Sequence, residues 1–131
     1  MIEHHQVIPL LLEASPSFLS AWEKHCREHG DNLLYVAMGD LARHLLRLHQ
    51  SGQTGDLIAV AKVIERLHLE GAPAVKELAT IGILEGIQNN WDNDGVPSEQ
   101  FATYLLPESA RWWQSLNDFW EGKIKYVGER L

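Results

Sequence analysis

Apolar residues in this chain recur at spacings of three and four almost from end to end, the period of a helix that buries one face. Ile8, Leu11 and Leu12 mark a short first helix closed at Ser15-Pro16. A second opens near Pro16, carries Phe18, Leu19 and Trp22, and stops at Gly30. The third holds Leu34, Ala37, Met38, Leu41, Leu45 and Leu48 on one face and ends at SGQTG. The fourth spans about Asp56 to Leu69, with Leu57, Val60, Ala61, Ile64 and Leu67 inward and Lys62, Glu65 and Arg66 outward. Gly71-Ala72-Pro73 stops the chain and restarts it, because proline suits a first helical turn.

The fifth helix, about Ala74 to Trp91, breaks the amphipathic pattern. Its middle, ATIGILEGI, is apolar nearly all round, which marks a central helix covered by neighbours. Gly82 and Gly86 lie one turn apart and weaken helix propensity, so close backbone packing is expected there. A polar loop, NWDNDG, follows; Ser98 then caps a short helix through Leu105. Pro107 opens the last helix, PESARWWQSLNDFWEG, with Trp112, Trp113, Leu116, Phe119 and Trp120 as a broad aromatic stripe. Neighbouring helical residues point about 100° apart, so one of Trp112 and Trp113 is expected at the surface. Strand alternation is missing. The pattern predicts a single all-α domain over 1–131, with six or seven helices in stacked antiparallel hairpins of HEAT-like or orthogonal type.

Charge adds a direction to this outline. The 131 residues carry a formal charge of −7, which disfavours nucleic acid and anionic membrane as partners. Between Glu77 and Ala110 there is no Lys or Arg, while Glu77, Glu85, Asp92, Asp94, Glu99 and Glu108 all fall inside. Apolar runs are too short to cross a membrane, and the N-terminus lacks the basic start of a secretory signal. One cysteine, Cys26, excludes an internal disulfide, and a cytoplasmic setting is expected.

Three constellations carry candidate chemistry. NWDNDG starts like a calcium loop, with Asn90, Asp92 and Asp94 at alternate positions and Gly95 sixth. The pattern then fails, because Pro97 replaces the apolar eighth residue and Phe101 the bidentate glutamate at the twelfth. What remains unexplained is Asp92 and Asp94 near a helix C-terminus, where the dipole disfavours negative charge. The second constellation, His25-Cys26-Arg27-Glu28-His29, matches an inverted zinc-hydrolase motif, with His25 and His29 on one helical face and Glu28 as a base. It lacks a third ligand, and no cofactor or metal is expected. The aromatic stripe is the third, mostly core material. No phosphate loop, nucleophile elbow or paired C-x-x-C occurs, so no catalytic set is read.

Three stretches, GDLARHLLRLHQSG (39–52), VIERLHLEGAPAVKELATIGILEGIQNNW (63–91) and LPESARWWQSLNDFWEG (106–122), resemble a family of small uncharacterised bacterial all-α proteins. In size, charge and helical content the chain is also similar in kind to immunity proteins of contact-dependent and other polymorphic toxins. That likeness implies a protein-binding inhibitor covering the active site of a basic toxin, a nuclease above all. The base-free span then supplies the contact residues Glu85, Asp92, Asp94 and Glu99, with Trp91 as an anchor. Glu85 has a second reading as a buried structural carboxylate. The alternatives are a helical adaptor or homodimeric scaffold and, on His25, Glu28 and His29, a small zinc hydrolase.

Overall fold

The computed structural model describes residues 1–131, and all of its regular structure is helical. Helix α1 is His4–Ala14, and a 3₁₀ turn at Pro16–Phe18 leads into α2, Leu19–His29. Helices α3, Leu34–Gln50, and α4, Thr54–Glu70, form a hairpin. Helix α5 runs on through three segments: α-helical Pro73–Glu77, π-helical Leu78–Leu84 and α-helical Glu85–Asn93. A four-residue helix α6, Glu99–Ala102, and helix α7, Pro107–Trp120, complete the fold. The only β-type contact is a clip in which Ile2 N–H donates to Glu70 O (2.8 Å) and Ala72 N–H to Ile2 O (2.9 Å).

Helix α3 occupies the middle, packing on α2, α4 and most extensively on α5, while α4 also carries α1 and α7. One continuous core results, from Ile2 to Leu116. The glycines of α5 permit its close approach to α3. A Cβ on Gly82 would lie 3.2 Å from Met38 Cγ, and one on Gly86 only 3.7 Å from the Met38 carbonyl oxygen. The π-helical segment adds a residue to the turn, so that Glu85 N–H reaches back to Thr80 O.

Several boundaries differ from the sequence reading. Helix α4 starts at Thr54, and α6 ends at Ala102, well short of Leu105. Residues Asn90 to Asn93 form the last turn of α5, so NWDNDG is a helix terminus, with Asp94 as its C-cap. Gly95 follows at φ +79°, and Val96 N–H closes onto Trp91 O at 3.0 Å, satisfying an end carbonyl as C-terminal glycine motifs do. In the aromatic stripe Trp113 is buried and Trp112 half-buried. The exposed indole is Trp120, whose place a turn beyond the core leaves it uncovered.

Gly71 joins α4 to α5 with an ordinary negative φ of −72°, so any strain on substitution there is steric. A Cβ would strike the Leu67 carbonyl oxygen and Val75. Gly71→Ala should therefore destabilise by about 1–3 kcal/mol, as overpacking does. Gly86→Ala meets only ordinary contacts and should be neutral or stabilising by up to about 1 kcal/mol through helix propensity. Denaturant unfolding of both variants measures the contrast; equal losses would contradict it.

Candidate functional site

Two polar assemblies stand out. The first is buried where α4, α5 and α7 meet. Leu106, the N-cap of α7, has no side-chain oxygen to accept the helix's orphan N–H groups. Glu65 on α4 accepts them instead, from Glu108 N–H at 3.1 Å and from Ser109 N–H at 2.8 Å. The Ser109 hydroxyl also donates to Glu65 Oε1 at 2.8 Å. With its proton so used, Ser109 Oγ accepts from His68 Nδ1–H at 3.0 Å, and His68 Nε2 accepts from the Thr80 hydroxyl at 2.9 Å. Glu65, read as outward-facing from its helical position, is thus a half-buried helix cap, because α7 closes over that side of α4.

Burial pushes the His68 imidazole down to about 4, so it is neutral in the folded protein at neutral pH. Burial alone would raise the Glu65 carboxyl, but hydrogen bonds from Ser109 and Glu108 outweigh it and hold the group low. Thr80 is buried and bonded to His68, and the chain of donors ends at the α7 N-terminus. This assembly fixes three helices.

The second assembly is open. A cleft of about 320 Å³ lies between the end of α5, the start of α6 and the end of α7. Gln88 and Asp92 line it from α5, Ser98 and Glu99 from the α6 start, and Asn117 and Trp120 from α7. Asp92 accepts from Ser98 N–H at 2.8 Å through Oδ1, which offsets its unfavourable place at a helix C-terminus. Glu99 Oε1 accepts from Trp113 Nε1–H at 3.0 Å and from Asn117 Nδ2–H at 3.1 Å. Asn117 Oδ1 accepts in turn from Gln88 Nε2–H at 3.1 Å.

The structure brings Asp92 and Glu99 together here, both exposed. Glu85 lies three residues before Gln88 and seven before Asp92, on the same stripe of α5. It is half-buried without an ion pair; burial raises its pKa, and a hydrogen bond with the Trp120 indole partly opposes the rise. Asp94 is exposed at the helix end, outside the cleft.

Trp91 is a correction. Its side chain is fully buried against Phe101, and its Nε1–H donates to Ala42 O at 3.0 Å, so it anchors α5 on α3 and offers no surface to a partner. The sequence reading missed Gln88, Asn117 and Trp120. A signal existed in the polar stripe Glu85, Gln88, Asn89, Asp92 on an otherwise apolar helix.

The motif His25, Glu28, His29 is not assembled as a metal site. His25 is buried and stacks on Trp22 at 5.3 Å, with Nδ1 3.4 Å from Asp40, while Glu28 and His29 are exposed. No group of three or more His, Cys, Asp or Glu side chains is placed to hold an ion. No helix is long and apolar enough to cross a membrane.

Fold and cleft together define a small all-α domain with an acidic surface recess. The chain belongs to the family described as a domain of unknown function, DUF7674, whose match spans residues 8–121 and so includes every residue of the cleft. No curated protein and no solved structure matches the chain.

The buried assembly gives a pH dependence. An unfolded chain protonates His68 near its ordinary 6.5, whereas the folded protein resists until about pH 4. Protons therefore favour the unfolded state, and stability should fall by on the order of 3 kcal/mol as pH drops through that window. His44, lowered by burial and then by Arg47, adds a smaller loss of the same sign. His68→Gln should flatten most of the slope in urea unfolding measured across this range; a wild-type-like slope in the variant would contradict the assignment.

Proposed function

We propose that this domain is a protein-binding inhibitor that presents its acidic face to a basic partner. In its fullest form it is an immunity protein occluding the active site of a cognate toxin of the nuclease class. The observation that carries this reading is uncompensated charge. Several other acids are neutralised by neighbours, as in Arg66–Glu70, Arg111–Glu108, Arg43–Asp40 and Lys123–Glu121. Glu85, Asp92, Asp94 and Glu99 have no basic residue within the span Glu77–Ala110 and form no ion pair.

Such a face speeds encounter with a positively charged surface by roughly 10–10³-fold at low salt. A nuclease presents that surface, since it must hold phosphates. Trp120, 63% exposed beside the acids, supplies the amphipathic contact area that interfaces favour.

The test is affinity capture from host lysate at low salt, with a salt step for elution, using wild type and Asp92→Lys/Asp94→Lys/Glu99→Lys as parallel baits. Wild type should retain a basic protein, and the triple variant should bind it at least tenfold more weakly with its helical circular dichroism intact. A basic partner retained equally by both baits would contradict the proposal.

A further inference from the structure

We propose that a recess between α2 and α3 binds a hydrogenphosphate group, as the free ion or as the end of a small phosphomonoester. This site is independent of the acidic face and of the inhibitor reading. Lys24, His25 and Glu28 line it from α2, and Asp40, Arg43 and Arg47 from α3, each set following one helical face.

His25 marks the recess as more than a surface groove. The residue is 2% exposed, and neither ring nitrogen has a hydrogen-bond partner in the protein. One side of the ring stacks on Trp22, while Nδ1 stands 3.4 Å from Asp40 Oδ2 without forming a hydrogen bond. Asp40 belongs to the wall of the recess, so this edge of the imidazole is turned toward the cavity. A neutral imidazole carries one donor and one acceptor, and leaving both unmet in a buried place costs free energy. An ion pair with Asp40 alone would still leave Nε2 unmet.

Charge defines the ligand that could meet this need. Three cations face two acids across the recess, in a chain whose formal charge is −7. Asp40 is engaged by Arg43, and Glu28 lies 4.0 Å from Lys24. Arg47 is left over. It forms no ion pair and stands one turn from Arg43, where like charges destabilise a helix. A free guanidinium fork matches the oxygens of an oxyanion.

The two carboxylates narrow the choice further. They repel an anion that only accepts hydrogen bonds, such as sulfate, but they accept a bond from one that keeps a proton. Hydrogenphosphate takes bonds from Arg47 and from an imidazole N–H, and gives its own proton to Asp40 or Glu28. The recess of about 180 Å³ is too large for one water, at about 30 Å³ each in the liquid, and holds one tetrahedral anion with its nearest waters.

The experiment is an NMR titration of the full chain at constant ionic strength, read on backbone amide and histidine ring ¹⁵N signals. The probes are inorganic phosphate, methyl phosphate and sulfate. Phosphate should give saturable shifts at the His25 ring nitrogens and bind about tenfold more tightly than sulfate, the scale of one charge-assisted hydrogen bond. Arg47→Gln, an exposed change that leaves the core intact, should weaken phosphate by about tenfold. Asp40→Asn should abolish the preference over sulfate, because an amide can donate to either anion. Methyl phosphate binding as tightly as phosphate would assign the site to a monoester, and much weaker binding would assign it to the free ion. Phosphate shifts that do not saturate, that sulfate reproduces equally in the wild type, or that Arg47→Gln leaves unchanged would overturn the site.

Discussion

The Glu65 carboxylate is the contact on which the rest of the arrangement depends. It stands on α4, yet it caps α7 from across the fold, taking the two N–H groups that Leu106 cannot satisfy. An anion at a helix N-terminus is also favoured by the macrodipole. Ser109 passes the interaction to His68, and His68 passes it to Thr80 in the π-helical turn of α5. Three helices are pinned by one line of hydrogen bonds whose every donor and acceptor is assigned. A buried network of this kind specifies one packing only because it is complete.

From that joint the geometry of the cleft follows. With its N-terminus fixed, α7 buries Trp113 and Leu116 in the core and carries Asn117 and Trp120 to the edge of α5. There the polar stripe of α5 meets it. Asn117 couples the two helices, receiving from Gln88 and donating to Glu99. The acids are held by neutral donors and not by cations, which leaves their charge uncancelled within the cleft. Neutral donors orient a carboxylate without cancelling its field, whereas an ion pair does both.

The helices were legible because a buried face writes a period into the sequence, and α3 and α4 show it most plainly. The acidic span was legible for a simpler reason, since the absence of Lys and Arg from Glu77 to Ala110 needs no fold to be seen. What was not legible depends on long-range partners. Glu65 sits at an outward angle on α4, and only the closure of α7, more than forty residues away, converts it into a cap. Trp91 reads as a surface residue amid NNWDNDG; continuation of α5 to Asn93 turns it onto Ala42 and Phe101 instead. Trp120 reads as one more core aromatic, and its exposure follows from where α7 ends. The family match, spanning residues 8–121, fits the picture of one helical unit without specifying its activity.

The central claim is that the recess beside Trp120 is where a basic protein docks. Photo-crosslinking tests it most directly, with a photoreactive phenylalanine analogue replacing Trp120 in the full chain expressed in its native host. The account predicts a covalent adduct with a basic protein and loss of that adduct when Asp92 and Glu99 are neutralised. Adducts formed only with a second copy of this chain, or unchanged by neutralising those two acids, would contradict it.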